Sequence, residues 1–523
     1  MRLQKIRIVN FKCFEGEFEL EFNKGVNIIV GDNEAGKSTI LEAIHLALTG
    51  LFSGRNIGVE LSQYMFNTKI KNSYINSIEE GKASPPPYIN IEIFFDGSDE
   101  ELALCSGDGN EKKEAASGVS LKICFNEIYC EEYESFISLG KVKGIPIEYY
   151  DVIWTTFARK GVTARSIPLK SFLIDSSNYR YQNCSDVYIT RIIRDRLEKE
   201  EIVSISQAYR QMREEFMEDI SIKAINEKIN EERTITDKSI QIAVDLATKN
   251  AWENILVTEL DNIPFHFVGK GTQCIVKTEL ALSNNKAKDA GIILLEEPEN
   301  HLSHANLNCL ISHIKDIKDD RQIIMTTHSS FVANKLGLDR LVLINNGKSV
   351  SFDNLKKDTK EFFEKIAGYD TLRLVLSKKA ILVEGASDEL VVQKAFMVNN
   401  GGKLPIEMGI DVISVGLSFL RFLEIADILA KPTVVVTDND GSIAGLMKKY
   451  DEYLGDNKKN FIDICFDLEE DSGPLTIEGA TYNYNTLEPK MLKANGLDVL
   501  NKVFDKNYKN EDELLKYCIF RSK

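Results

Sequence analysis

The stretch Gly31-Asp32-Asn33-Glu34-Ala35-Gly36-Lys37-Ser38 constrains the fold of this chain more than any other. Val26–Val30 before it is a short apolar run that predicts a strand, and Thr39–Leu48 after it has the apolar spacing of a helix. A Gly-x-x-x-x-Gly-Lys-Ser loop between a strand and a helix predicts a phosphate-binding loop. Its backbone N–H groups and the helix N-terminus would cradle phosphates, with Gly31, Asn33, Gly36 and Thr39 in the frame. Lys37 would offset the charge of the outer phosphates of ATP, and Ser38 would hold magnesium.

Two later stretches supply the rest of a nucleotide site. The apolar strand candidate Gly291–Leu295 runs into Glu296-Glu297-Pro298-Glu299, where Glu296 is placed to support the magnesium shell and Glu297 to orient or deprotonate water. The strand candidate Gln322–Thr326 runs into Thr327-His328-Ser329 and offers His328 as a sensor of the γ-phosphate. A further strand is expected at Leu341–Asn345.

Beyond a connector the pattern starts afresh. Strands are expected at Ala380–Val383, Ile410–Val415 and Thr433–Thr437, with helices near Glu389–Val398 and Phe419–Ala430. This alternation predicts a small α/β domain whose ligands gather at the carboxyl ends of the strands. Glu384 ends the first of these strands and Asp388 follows near the start of a helix. Asp438 and Asp440 follow the last strand and would share a face if the chain stays extended there. Carboxylates converging without histidine suit Mg²⁺ or Mn²⁺, and without a cation they repel one another.

A length of 523 residues suggests about three domains. With no apolar run long enough for a membrane and no signal-peptide pattern, a cytoplasmic protein without a membrane partner is expected. Nine cysteines without a Cys-x-x-Cys pair, and six scattered histidines, support neither a zinc site nor a disulfide framework, so reduced and mostly buried thiols are expected. The net charge of −16 means that a DNA partner would need a local basic stripe on an otherwise acidic surface. Strands are also expected at Leu3–Phe11, Phe14–Phe22, 88–95 and 119–130, with a solvated loop at 97–118. From 189 to 250 the chain turns helical and charged without regular heptads, as a dimerising insertion or a solvated arm would.

Together the nucleotide motifs resemble the ABC-type ATPases of the SMC-like class, whose heads are split by an inserted helical region. In that class a signature loop of one subunit caps ATP on the other, and Gly269-Lys270-Gly271-Thr272-Gln273 sits where that loop is expected. Glu296 stands where the class commonly has aspartate. The second half resembles a Toprim domain, marked by Glu384-Gly385 after a first strand and Asp438-Asn439-Asp440 after a later one. Over essentially its whole length the chain resembles the OLD (overcoming-lysogenisation-defect) nucleases.

That resemblance implies an α/β protein with an ABC-type P-loop ATPase head in two parts, 1–188 and 251–350, around a helical dimerisation insertion at 189–250. A connector at 351–378 and a Toprim domain at 379–523 would follow. It implies that Glu384, Asp388, Asp438 and Asp440 hold metals, with Glu384 and Asp438 foremost in catalysis and Ser414-Val415-Gly416 as the intervening strand end. Glu488, in Asn485-Thr486-Leu487-Glu488-Pro489, would be a further ligand. Lys523, or alternatively Lys516, would steady the scissile phosphate. The implied function is an ATP-binding and ATP-hydrolysing DNA endonuclease using Mg²⁺ or Mn²⁺, as a homodimer or homotetramer, in anti-phage defence beside a helicase or another effector. The alternatives are a structural or sensing ATPase without nuclease activity and a topoisomerase-like enzyme, which would need a positioned tyrosine.

Overall fold

The computed structural model describes residues 1–81, 84–97, 100–138, 142–164, 166–175, 197–231, 242, 258–283, 291–300, 302–316, 321–345, 347–366, 368–473, 476–477 and 480–522. Two compact units are present, Met1–Ile29 with Glu34–Thr327, and Val30–Asn33 with His328–Lys523.

The first unit opens with β1 (Arg2–Val9) and β2 (Glu17–Glu21), an antiparallel pair. Next come β3 (Val26–Gly31), buried at every position, and the helix α1 (Lys37–Thr49). The strands β4 (Ile89–Asp96), β5 (Ala116–Phe125) and β6 (Tyr150–Thr156) extend the antiparallel sheet in the order β2-β1-β4-β5-β6. Arg7 of β1 is fully buried there, with Nη1 donating to Glu92 of β4 at 2.6 Å and Nε donating to Glu19 of β2 at 2.5 Å.

A second sheet in this unit is parallel. Its strands β7 (Lys170–Asp175), β8 (Gly291–Glu296) and β9 (Gln322–Thr326) line up with β3 in the order β7-β8-β9-β3. Near-continuous apolar sequence is what a parallel strand covered on both faces requires. Ile28, Ile29, Ile292, Leu294, Ile323 and Ile324 are all inaccessible to solvent, and truncating any one to alanine should cost ~2–5 kcal/mol.

Several expectations need adjusting in this unit. The strand expected over 119–130 stops at Phe125, because the Asn126 side chain accepts from Ile128 N–H at 3.0 Å and turns the chain into a helix over Cys130–Ser138. The loop expected at 97–118 contains a short helix, Glu100–Ala103, and a two-residue strand, Ser106–Gly107. Of the expected insertion, α2 (Lys199–Glu218) and α3 (Ile220–Glu231) are helical; 189–196, 232–241 and 243–250 lie outside the described residues. Two more helices, α4 (Lys270–Ser283) and α5 (His304–Asp316), flank β8 in sequence.

The second unit contains α6 (Ser330–Leu336), the hairpin β10 (Leu341–Asn345) with β11 (Lys348–Ser351), and two helices within the expected connector, α7 (Lys357–Lys365) and α8 (Thr371–Leu376). Buried Asn334 ties α6 to the start of α8, donating to the Tyr369 carbonyl at 2.8 Å and accepting from Thr371 Oγ1 at 2.6 Å.

After these come β12 (Lys379–Val383), α9 (Ala386–Asn399), β13 (Ile410–Ser414), α10 (Phe419–Ile428), β14 (Thr433–Val436), α11 (Ile443–Lys449) and β15 (Ile462–Cys465). The four strands form a parallel sheet in the order β13-β12-β14-β15. The register sets Val383 opposite Ser414 and Val436 opposite Cys465, so the carboxyl ends share one edge. The unit closes with α12 (Leu487–Asn495), α13 (Leu497–Phe504) and α14 (Glu511–Ser522), packed through Leu492, Leu500, Leu514 and Leu515.

The eight described cysteines are free, as expected, but Cys13, Cys130, Cys309 and Cys465 are exposed, which corrects the expectation of mostly buried thiols. Cys184 lies outside the described residues. Among the described residues no helix is long and apolar enough to cross a membrane.

Candidate functional site

The phosphate loop begins where β3 ends, at Gly31, and its turn into α1 is made by Gly36 at φ 104°. A Cβ at Gly36 would stand 2.6 Å from Phe14 Cζ and 2.9 Å from Cys13 Sγ, so only glycine suits both the backbone angle and the space. Phe14 is itself fixed by stacking on Phe18, with 4.2 Å between ring centroids. Ile40 N–H donates to the Gly36 carbonyl at 2.9 Å and starts the helix. Lys37 and Thr39 are buried, Ser38 and Asn33 are exposed, and Cys13 Sγ contacts Thr39 Oγ1 at 3.5 Å. The first N–H groups of a helix have no partner within the helix, so this turn suits an anion.

Strand register brings the acidic loop to the same edge, with Glu296 opposite Thr326 and Thr326 opposite Ile29 of β3. Glu297 follows in a left-handed conformation, φ 42°, and its N–H donates to the Thr326 carbonyl at 3.1 Å. A non-glycine residue held in that region is sparsely populated and marks a place where the fold over-determines a side chain. Asn300 holds that side chain, donating from Nδ2 to Glu297 Oε2 at 2.7 Å, a role the sequence did not signal. Thr327 Oγ1 donates to Glu299 at 2.7 Å. His328 comes next in the chain, at the start of the second unit, before Ser329, whose Oγ caps α6 by accepting from Val332 N–H. Gly269 precedes α4, and Lys270–Gln273 form the first turn of that helix; the expected signature loop is a helix start.

In the second unit, Glu384 directly follows β12, and its carbonyl accepts from Gly416 N–H at 2.9 Å and Ser414 Oγ at 3.1 Å. The Ser414-Val415-Gly416 turn therefore fixes the backbone that carries Glu384. Asp388 lies in the first turn of α9, accepting from Gly385 N–H at 2.9 Å. Glu488 lies in the first turn of α12.

The expectation that Asp438 and Asp440 share a face of an extended chain is corrected, since β14 stops at Val436 and Asp440 turns left-handed at φ 51°. What gathers these carboxylates is the turn. Burial pushes the Asp438 carboxyl up to about 7, and the charges of Asp388, Glu384, Asp440 and Glu488 add to the rise. Burial, then Asp440 and Asp388, raise Glu384 as well, while Lys449 acts against them. Lys449, at the end of α11, lies over the rings of Tyr450 and Phe419, 5.2 and 5.5 Å from their centroids.

Asp388, Glu384, Asp440 and Glu488 are thus each felt electrostatically at Asp438. Among the described residues no three His, Cys, Asp or Glu side chains stand at metal-ligand spacing. Carboxylate oxygens are hard donors, a type suited to Mg²⁺ or Mn²⁺. Lys523 lies outside the described residues, and Lys516 is exposed on α14.

Residues 5–289, more than half of the chain, match the family model of an AAA domain. Residues 375–440 match that of the overcoming lysogenization defect protein-like TOPRIM domain. The DNA replication and repair protein RecF of Clostridioides difficile is 23% identical over 389 residues, 68% of this chain and 99% of that protein. The DNA double-strand break repair Rad50 ATPase of Thermoplasma acidophilum is 52% identical over 105 residues, 19% of this chain and 12% of that protein. An ATP/GTP phosphatase of Helicobacter pylori is 23% identical over 350 residues, 62% of this chain and 85% of that protein. Among solved structures, an Smc head bound to the C-winged helix domain of ScpA superposes with a TM-score of 0.36 at 16% identity, covering 68% of this chain and 100% of that one, a likeness too slight to add weight. With an AAA-type ATPase domain over more than half of its length and an OLD-like Toprim domain behind it in one polypeptide, this chain belongs to the OLD family.

Proposed function

We propose that this chain is an ATP-controlled, metal-dependent DNA endonuclease. The observation that carries this reading is the carboxyl of Asp438, after the β14 strand of an OLD-like Toprim domain, raised by burial and by the charges of Asp388, Glu384, Asp440 and Glu488. Glu384 and Asp438 are the central ligands in this proposal, with Asp388, Asp440 and Glu488 completing the shells. Mg²⁺ or Mn²⁺, when bound, supplies charge neutralisation and Lewis acidity for phosphodiester hydrolysis. Raised proton affinity makes Asp438 a group that gives up its proton when a cation arrives. Lys449 is a described cation near this edge, suited to a phosphate, whereas Lys523 keeps its proposed role from the family resemblance alone.

On the nucleotide side, Gly31, Asn33, Gly36 and Thr39 frame the phosphates, Lys37 offsets their charge, and Ser38 and Glu296 serve the magnesium shell. Asn300 orients Glu297 toward its work on water, and His328 senses the γ-phosphate. The boundaries 1–188, 189–250, 251–350, 351–378 and 379–523 are proposed as domains, with the insertion joining a homodimer or homotetramer. DNA as the substrate is supported by the similarity to a DNA replication and repair protein, RecF, and to a DNA double-strand break repair ATPase, Rad50. A setting in anti-phage defence, in the cytoplasm and beside a helicase or other effector, rests on the family.

The test is cleavage of supercoiled and linear DNA by the purified chain with Mg²⁺ or Mn²⁺, with and without ATP, beside Asp438→Ala/Asp440→Ala. Cutting that disappears only in the variant is the expected result; cutting that persists in it overturns the assignment. The net charge of −16 favours a second reading, a structural or sensing ATPase. ATP turnover with no metal-dependent cutting would support that one.

A further inference from the structure

The Asp438-Asn439-Asp440 turn is joined to the Glu488 helix by a run of amide hydrogen bonds. Asn439 is 2% exposed, and its Nδ2 donates to the carbonyls of Asp467 and Glu469, each at 2.8 Å. Its Oδ1 accepts from Gly441 N–H at 3.0 Å. These bonds pin the stretch after β15 against the turn. At the far end of that stretch Asn485, 3% exposed, donates to the Asp471 carbonyl and accepts from Asp471 N–H, both at 2.7 Å.

Neighbouring groups close the block. Asn483 Oδ1 accepts from Asn485 N–H at 2.9 Å, while Asn483 Nδ2 reaches Asp440 Oδ1 at 3.5 Å. Gly441 turns at φ 76°, and a Cβ there would press on Asn485 Nδ2 at 3.1 Å. Lys490, two residues past Glu488, donates to the Glu469 carbonyl at 2.8 Å and pairs with Asp467 at 2.7 Å and Asp471 at 2.5 Å. Lys493 pairs with Glu469 at 2.7 Å and Asp471 at 2.8 Å. Asp467, Glu469 and Asp471 therefore have fixed cations, which sets them apart from Asp438.

We propose that Asn439 and Asn485 are positioning residues of the metal centre, which through the 467–471 stretch hold Glu488 in place relative to Asp438 and Asp440. The inference rests on the reading of those carboxylates as metal ligands. Its physical basis is that Glu488 is carried by a helix outside the sheet, and like charges would drive that helix away from Asp438. Amide bonds resist that repulsion before any cation arrives, as partners behind a ligand shell generally do. Both buried amides have donor and acceptor sides engaged, so neither can turn without leaving a buried polar group unpaired.

Mn²⁺ binding to the purified full chain, measured by calorimetry without nucleotide or DNA, tests this. Asn485→Ala should weaken Mn²⁺ binding about 10–100-fold, the usual effect of removing a residue behind a metal ligand. Asn485→Ala/Glu488→Ala should bind no more weakly than Glu488→Ala alone, because the amide acts through Glu488. Wild-type affinity in Asn485→Ala, or losses that add in the double variant, overturns the inference. If Asn485→Ala does not fold, Lys490→Met removes the bonds to Glu469 and Asp471 while keeping the packed stem, and wild-type affinity there overturns it equally. Asp438→Ala/Asp440→Ala is run alongside. Unaltered Mn²⁺ binding in that pair sinks the metal-ligand reading itself, whereas loss there with retention in Asn485→Ala sinks only the positioning role.

Discussion

Glu19 in the first unit and Asp438 in the second are both carboxylates fixed by their folds, and they are driven in opposite directions. Burial pushes Glu19 up, but hydrogen bonds from Lys112 and from the buried Arg7 guanidinium outweigh it and hold the group down at about 2. Asp438 is pushed up to about 7 by burial, and its neighbours Asp388, Glu384, Asp440 and Glu488 add to the rise. One acid is neutralised from inside the chain and braces a sheet. The other is set among acids whose charges add to its rise, the contrast on which the proposed metal site rests.

The comparison can be broken most decisively at Asp438. Asp438→Ala/Asp440→Ala should lower metal-dependent cutting by at least about a thousandfold, since a lost metal site forfeits several kcal/mol of transition-state stabilisation. Nucleotide affinity measured on the same preparation should not change. In the brace, Glu92→Ala leaves the fully buried Arg7 short of its buried partner and should destabilise the first unit by about 3–5 kcal/mol in denaturant unfolding. A stable Glu92→Ala protein would mean that the brace is dispensable.

Lys37 tests the other sign of charge. Removing a charge-assisted contact worth ~1.5–3 kcal/mol, Lys37→Ala should weaken ATP binding about 10–100-fold, and unchanged affinity would remove the phosphate-loop assignment. The smallest effect belongs to Glu19. Its proton affinity is depressed on folding, so its stabilising contribution is present above its unfolded value of about 4.5 and is lost as pH falls toward about 2. Glu19→Gln should be less stable than the wild type near neutrality and converge with it near pH 2, as read from thermal melts across that range.

The strand, glycine turn and helix around Gly31–Ser38 were legible because they are contiguous, following one another within 24 residues of the chain, Val26 to Thr49. The acids after β8 were legible for the same reason. At the acids of the Toprim domain, the residue types were visible but the geometry was not. Asp438 and Asp440 are gathered by a left-handed turn in place of the extended strand that alternation suggested. Asn300, Asn439 and Asn485 carried no signal, because an asparagine that clamps a distant backbone looks like any polar loop residue until its partners are known. The helix boundaries shifted for similarly local reasons, as when Asn126 capped a turn inside a run read as strand.

The pairing of β3 with β9 has a consequence for how the protein is made. Val26 lies beside Ile323, so a strand that is buried throughout waits for a neighbour encoded roughly 300 residues later. At ~5–20 residues per second of synthesis, that wait lasts about 15–60 s. Until β9 leaves the ribosome the nascent chain carries an incomplete parallel sheet with an open edge, the kind of surface that chaperones bind and that aggregates when they do not. An N-terminal fragment that stops before Gln322 would therefore contain the whole Gly31–Ser38 loop and still lack the strand that pairs with β3.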